Sequence, residues 1–260
     1  MNFLKPNKTI LCMLQPPALP GSYRHKDMSI NAIVDAALAQ CQMIKDNNFD
    51  GVILQNMNDM PIKHKARPEA IAYMTRIALE IRRAFPQLIL GLLLNWDGAA
   101  SLCVAEAVGA DFIRVEHLFT GASVTSAGIL EAQCVKISKL RKRLGSTIPV
   151  FADVQEIHGV ALGAKSIEDA AWECVHEAFA DGLFLAGKSA QESIEMIKKV
   201  RTRLKDIPIF VGGGSSADNI KELMAHFDGV SVATWIKNGD MKNPIDKARA
   251  ELFIKEARAS

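Results

Sequence analysis

The feature that most constrains the fold is the alternation, along the whole chain, of short apolar runs with longer amphipathic segments. The runs are rich in residues that favour strands, and the segments repeat their apolar residues with the period of a helix. Because the runs are apolar almost throughout, they indicate strands buried on both faces, as in a parallel sheet covered by helices. The predicted strands are residues 8–14, 50–55, 88–94, 111–116, 148–154, 181–186, 207–212 and 229–234.

Each predicted strand is followed by a predicted helix. Eight strand–helix units in a chain of 260 residues suit a single barrel, for which ~250 residues is typical. We therefore predict an α/β fold, a (β/α)8 TIM barrel of the phosphate-binding type, with residues 1–260 as one domain. The predicted helices are residues 30–45, 68–84, 99–108, 128–144, 167–179, 191–204, 217–226 and 243–259.

Charge and apolar content exclude several classes of partner. The formal net charge is only +2, and a basic run between Lys136 and Arg143 is interpreted as a solvated helix face, so no nucleic-acid partner is predicted. No segment reaches the ~18 apolar residues of a membrane span. We therefore expect no membrane span and a cytoplasmic location. The sequence leaves open whether the chain forms a homo-oligomer.

The five cysteines give no sign of a metal site or of disulfides. Their number is odd, and none has a second cysteine or a histidine at ligand spacing. They are interpreted as buried apolar residues in a reducing compartment. Accordingly, no metal and no cofactor is predicted.

A glycine-rich loop follows the seventh predicted strand, with the order Gly212, Gly213, Gly214, Ser215, Ser216. Glycines allow backbone N–H groups to approach a ligand closely, and Ser215 or Ser216 could cap the helix that follows. Loops after the seventh and eighth strands form the usual phosphate site of a barrel. The loop predicts a phosphorylated small molecule as ligand, and a tight turn in an inert scaffold is the alternative.

Two charged residues, Arg114 and Asp153, lie inside predicted strands that are otherwise apolar. A buried charge needs a partner or a function. Because the fourth and fifth strands are neighbours in a barrel, we expect an Arg114–Asp153 pair across the lumen. A purely structural ion pair and a ligand-binding role remain equally supported. If the mouth of the barrel is active, Asp153 and Glu116 are its acid–base candidates.

Other polar residues end the predicted strands, where barrel enzymes place their chemistry. The predicted catalytic set is Asp153, Glu116, Arg114, Asn56 and His158. For His158, a surface or hydrogen-bonded state is favoured over metal ligation. Asp59 and Asp97 also follow strands, and we interpret both as helix caps rather than catalytic groups.

Several segments together resemble the BtpA/SgcQ family, over nearly the whole chain. The resemblance implies a barrel similar to phosphate-binding TIM barrels, and the family's usual Gly-Thr after the eighth strand is Ala233-Thr234 here, which adds both residues to the predicted phosphate site. One branch of the family is implicated in photosystem I biogenesis, and another lies among sugar-utilisation genes. The segments are residues 14–22, 50–61, 110–115, 120–122, 151–154, 211–214 and 243–249.

The sequence departs from the family pattern where titratable groups are expected. Gln15 replaces a histidine, Gln55 replaces a glutamate and Ile157 replaces a lysine. Two functions are therefore weighed. The favoured one is an enzyme acting on a phosphorylated small molecule, as a lyase, an isomerase or a nucleoside- or sugar-phosphate-processing enzyme. The alternative is a catalytically inactive barrel that serves as a binding, assembly or biogenesis factor.

Overall fold

The computed structural model describes residues 3–5, 8–116, 121–155 and 158–259. Eight parallel strands close into a barrel, so the predicted TIM-barrel architecture is confirmed. In chain order, the strands are β1 (Thr9–Leu14), β2 (Gly51–Gln55), β3 (Ile89–Leu93), β4 (Phe112–Val115), β5 (Ala122–Thr125), β6 (Gly128–Glu131), β7 (Val150–Asp153), β8 (Val160–Leu162), β9 (Gly182–Leu185), β10 (Ile209–Val211) and β11 (Gly229–Val232).

The barrel order is β1-β2-β3-β4-β7-β9-β10-β11, and β11 pairs with β1 to close the ring. Thr9 stands opposite Gly229 at this closure. Every barrel strand is buried along its full length. The near-continuous apolar runs in the sequence follow from this burial, since one face of each strand meets the lumen and the other meets the helices.

Helices cover the outside of the barrel, and none in the described part of the chain is long and apolar enough to cross a bilayer. Ser29, Ser166, Ser189 and Asp246 accept hydrogen bonds as side-chain N-caps of α1, α5, α6 and α8. The helices are α1 (Ile30–Asp46), α2 (Pro68–Ala84), α3 (Gly98–Val108), α4 (Cys134–Leu144), α5 (Ile167–His176), α6 (Ala190–Arg201), α7 (Ile220–Met224) and α8 (Lys247–Arg258), with a 3₁₀ turn at Trp235–Lys237.

The prediction of one helix over residues 128–144 is wrong at its start, because β6 occupies the first part of that segment. Gly128 has a φ of 102°, which belongs to a turn, and Thr125 Oγ1 accepts a hydrogen bond from Ala127 N at 3.2 Å. β5 and β6 form this hairpin, and β8 pairs antiparallel with the other edge of β5. The result is a three-stranded sheet beside the barrel, which we call the side sheet.

Phenylalanine rings in the lumen pack against glycines of neighbouring strands. Phe112, Phe151 and Phe210 each stand in register with a glycine of a neighbouring strand, namely Gly91, Gly182 and Gly229. A Cβ atom on these glycines would lie 2.4, 2.3 and 2.7 Å from the respective rings. Phe3 stacks on Phe112 with ring centroids 5.4 Å apart. The lumen is therefore filled with side chains below the carboxyl ends of the strands.

Replacing Gly182 with alanine tests this packing. Because the added methyl group would overlap the Phe151 ring, the Gly182→Ala variant should lose about 1–3 kcal/mol of unfolding free energy, the usual cost of overpacking. Gly213→Ala is the matched control, since its Cβ would meet nothing closer than Ala186 at 3.7 Å. Urea unfolding measures both variants, and equal midpoints for the two would contradict the proposed fit.

Candidate functional site

The carboxyl ends of the barrel strands open onto a cavity of about 200 Å³, which we call the central cavity. It brings together most of the residues predicted from the sequence, although they come from the ends of four different strands. Of the predicted catalytic and phosphate-binding residues, its lining includes Arg114, Glu116, Asp153, His158, Gly212, Gly213, Gly214, Ala233 and Thr234.

The remaining predicted residues lie elsewhere. Ser215 and Ser216 line a neighbouring cavity of about 480 Å³, together with Gly212, Gly213 and Gly214. We call this second space the glycine-loop cavity. Asn56 lines a separate cavity of about 30 Å³ between the loops after β2 and β3. Asn56 Nδ2 donates to Asp59 Oδ2 at 3.0 Å. Ile157 lies outside the described residues.

Arg114 and Asp153 form the ion pair expected from the sequence. Arg114 Nε lies 3.1 Å from Asp153 Oδ1, and Arg114 Nη2 lies 3.0 Å from the same oxygen. The two residues are only 8% and 7% exposed. Because both charges are removed from water, each needs the other as a partner. The pair also borders the central cavity, so its burial does not take it away from a ligand.

The guanidinium of Arg114 makes several further contacts across the lumen. Arg114 Cζ lies 4.3 Å from the centroid of the Phe184 ring, and Nη1 lies 3.4 Å from Ser231 Oγ. Nη2 approaches the carbonyl oxygen of Gly212 at 3.5 Å. A Cβ atom on Gly212 would lie 3.1 Å from Nη2. The first glycine of the loop therefore leaves the space that the guanidinium occupies.

The glycine loop contains backbone donors that have no acceptor among the described residues. Gly212 N is used within the barrel, since it donates to Leu185 O at 2.8 Å. In residues 8–116, 121–155 and 158–259, no hydrogen bond is donated by the N–H groups of Gly213, Gly214 or Ser215. Gly214 has a φ of 72°, the left-handed region that favours glycine. Three successive N–H groups without a protein acceptor form a concave site suited to an anion.

The expectation that Ser215 or Ser216 caps the next helix is wrong. α7 begins three residues later than predicted, at Ile220. Asn219 closes the loop instead, because its Oδ1 accepts from Ser216 N at 2.8 Å and its Nδ2 donates to Gly214 O at 2.9 Å. With only five residues in α7, the loop's own N–H groups are the principal donors, and helix capping plays no part.

The interpretation of the two aspartates as caps is confirmed for one and wrong for the other. Asp97 is the N-cap of α3 and accepts from Ala100 N at 3.1 Å. Asp59 instead accepts from Leu19 N at 2.7 Å, which ties the loop after β2 to the loop after β1. The next helix, α2, begins well beyond it and takes Arg67 as its N-cap. Burial raises the pKa of Asp59 above its ordinary value.

Gln15 and Gln55, the sites of two family departures, lie together with a buried lysine. Gln15 Nε2 donates to Gln55 Oε1 at 3.2 Å. Lys237 Nζ donates to Gln15 Oε1 and approaches Met241 O at 3.5 Å. Lys237 is 0% exposed, and this burial lowers its pKa. Burial also raises the pKa of the Cys12 thiol to about 12, and the nearby Lys237 opposes this shift. This cluster was not predicted, because Lys237 lies 222 positions from Gln15 in the sequence.

Glu116 and His158 face both the central cavity and an adjoining space of about 180 Å³. Gln133 holds the backbone of Glu116, since its Nε2 donates to Glu116 O at 3.1 Å. Gln133 Oε1 accepts from Gly98 N at 2.8 Å, which fixes the start of α3 to the same point. His158 is exposed. Within the described ranges, no group of three His, Cys, Asp or Glu residues is placed to hold a metal ion.

The sequence profile of the BtpA family matches residues 6–259. The chain belongs to the BtpA family. An uncharacterised protein of Thermococcus kodakarensis is 34% identical to it, with 96% of this chain and 95% of the relative covered. The photosystem I biogenesis protein BtpA of Synechocystis is 28% identical, with 87% and 80% covered. The putative sgc region protein SgcQ of Escherichia coli is 26% identical, with 96% and 94% covered.

Solved structures with the same fold are more distant in sequence. The native KDPGal structure has a TM-score of 0.60 at 15% identity and covers 96% of this chain and 94% of its own. N-(5'-phosphoribosyl)anthranilate isomerase from Pyrococcus furiosus has a TM-score of 0.57 at 16% identity, with 97% and 100% covered. At these identities the likeness concerns the barrel architecture.

Removing one member of the buried Arg114–Asp153 ion pair should lower the unfolding free energy. Arg114→Met leaves the Asp153 carboxylate without its partner, so the unfolding free energy should fall by about 3–5 kcal/mol. The double variant Arg114→Met/Asp153→Leu removes both charges and should lose less than Arg114→Met alone. Urea unfolding of the three proteins measures the difference. A double variant that is less stable than Arg114→Met would contradict charge pairing as the source of the loss.

Lys237 should make the unfolding free energy depend on pH in the alkaline range. Its folded pKa lies below 10.5, the value of a free lysine, so between these two values the unfolded chain binds more protons than the folded chain. The unfolding free energy of the wild type should therefore rise with pH relative to Lys237→Met, by at most about 1.4 kcal/mol per pH unit. Urea unfolding near pH 7 and near pH 10 measures it, with Lys139→Met, on the exposed face of α4, as the control. A wild type that loses stability relative to Lys237→Met would contradict the lowered pKa.

Proposed function

We propose that this chain is a phosphate-binding barrel that acts on a phosphorylated small molecule. The observation that carries the proposal is the row of backbone N–H groups at Gly213, Gly214 and Ser215, which donate to no acceptor in the described part of the chain. These three residues line the glycine-loop cavity at the ends of the seventh and eighth barrel strands. Phosphate groups bind in this place in many barrels.

The opposite wall of the glycine-loop cavity supports the same proposal. Thr234 and Arg249 line it, as do Ala233 and Trp235. Arg249 Nη1 donates to Trp235 O at 2.9 Å, and its guanidinium lies over the Trp235 ring at 4.9 Å from the centroid. This anchoring fixes a positive charge beside the loop, where it would compensate a phosphate. The threonine hydroxyl supplies a further donor.

The reacting part of the ligand would then lie in the central cavity, which shares Gly212, Gly213, Gly214, Ala233 and Thr234 with the glycine-loop cavity. There it would face Glu116, Asp153 and His158, which are groups able to accept or donate a proton. Arg114 would hold the Asp153 carboxylate in place. This arrangement favours a lyase, an isomerase or another enzyme that processes a sugar phosphate or nucleoside phosphate.

The structural relative N-(5'-phosphoribosyl)anthranilate isomerase has a phosphorylated compound in its name, which agrees with the proposed ligand class. A catalytically inactive binding or assembly factor is the second candidate, because Gln15 and Gln55 place neutral amides where the family pattern has titratable groups. The relative from Synechocystis is a photosystem I biogenesis protein. Turnover of a phosphorylated compound separates the two candidates, because an inactive barrel would bind it unchanged.

The phosphate site is tested by Gly213→Val. The side chain would stand among the exposed N–H groups, so the affinity for inorganic phosphate should fall by about tenfold or more, equivalent to 1.4 kcal/mol. The protein should remain folded, because a Cβ at this position meets only Ala186, at 3.7 Å. Isothermal titration calorimetry measures binding, and Ala39→Val on the exposed face of α1 is the control. Unchanged phosphate affinity in a folded Gly213→Val protein would sink the proposal.

A further inference from the structure

A larger cavity, of about 700 Å³, adjoins the central cavity between the loops that follow β1 and β11. Two observations show that the larger cavity and the central cavity are neighbours. Gln15 lines both, and Met241, which lines the central cavity, directly precedes Lys242, which lines the larger one. Gln15 therefore stands at the border between the two spaces.

The larger cavity is lined by three cations, all of them exposed. Arg24, Lys26 and Lys242 line it, and no aspartate or glutamate is among its described lining residues. None of the ion pairs in the described ranges involves these three side chains. Some cations elsewhere in the chain are compensated, as Arg201 is by Asp228 at 2.5 Å. We call this space the basic cavity.

Uncompensated cations in a concave space attract an anion more strongly than the same charges on a flat surface, because the low-dielectric walls focus their field. An arginine guanidinium binds phosphate oxygens through a planar pair of donors, and lysine ammonium groups add point charges. The central cavity differs, since it contains the carboxylates of Glu116 and Asp153. An anionic group is therefore favoured on either side of the central cavity, and an uncharged group within it.

We propose that the basic cavity is a second phosphate subsite and that the ligand is a bisphosphorylated small molecule. One phosphate lies at the glycine loop, the uncharged middle of the molecule spans the central cavity, and the other phosphate lies among Arg24, Lys26 and Lys242. This inference rests on the proposed function, because the glycine loop supplies the first subsite.

The test compares a monophosphate with a bisphosphate of the same sugar. Isothermal titration calorimetry measures the affinities for fructose 6-phosphate and fructose 1,6-bisphosphate. The wild type should bind the bisphosphate about tenfold more tightly or better. The triple variant Arg24→Gln/Lys26→Gln/Lys242→Gln should reduce this preference to about twofold or less.

The control has the same change of net charge at another place. Lys139→Gln/Lys142→Gln/Arg143→Gln neutralises three exposed side chains of α4, none of which lines the central or basic cavity. The control should keep the preference for the bisphosphate. Equal affinities of the wild type for the two sugars would overturn the inference, and so would equal loss of preference in the two triple variants.

A separate measurement distinguishes failure of the inference from failure of the proposed function. Inorganic phosphate is titrated into the wild type and into Gly213→Val. If Gly213→Val abolishes phosphate binding but the bisphosphate preference is absent, only the second subsite is wrong. If phosphate binding survives in Gly213→Val and disappears in the Arg24/Lys26/Lys242 variant, the glycine loop is not the phosphate site. That result would overturn both the proposed function and the proposal of a bisphosphorylated ligand.

Discussion

The guanidinium of Arg114 is the group on which the mouth of the barrel depends, because it joins β4 to five other strands or their ends. It pairs with Asp153 of β7, lies over Phe184 of β9 and approaches the carbonyl oxygen of Gly212 after β10. It also contacts Ser231 of β11 and the sulfur atom of Met13 in β1. A charge buried this deeply is tolerated only when it is paired, so the position of Asp153 is fixed as well.

The packing below Arg114 fills the lumen beneath the site. Phe112, Phe151 and Phe210 fill the lumen against the glycines of neighbouring strands. The polar groups of the mouth therefore rest on an apolar floor. Water is excluded from below them, which strengthens electrostatic interactions within the cavity. A ligand in the central cavity would meet charges that are both fixed in place and poorly screened.

Much of the barrel could be predicted because its physical signals are local. An apolar run marks a strand, and alternation along a strand places Arg114 and Asp153 on the lumen side, so the ion pair followed from the pattern. The side sheet did not, because β8 is short and exposed and pairs with a hairpin far from it in sequence. The cluster of Lys237, Gln15 and Gln55 joins residues more than 200 positions apart, and no pattern within one segment signals such a contact. Whether Glu116, Asp153, Asn56 and His158 are catalytic stays a prediction.

The side sheet gives the mouth a wall built from two loops. β5 and β6 follow the strand that ends near Glu116, and β8 comes directly after His158 and Gly159. Val124 of β5 faces Ile129 of β6 on one side and Val160 of β8 on the other, while Gln133 ties the end of the hairpin to the backbone of Glu116. The backbone of Glu116 is therefore tied to the side sheet, and His158 lies two residues before β8. Ser126, at the turn of the hairpin, lines the same space of about 180 Å³ as Glu116 and His158, so the side sheet closes one side of the space that these two residues face.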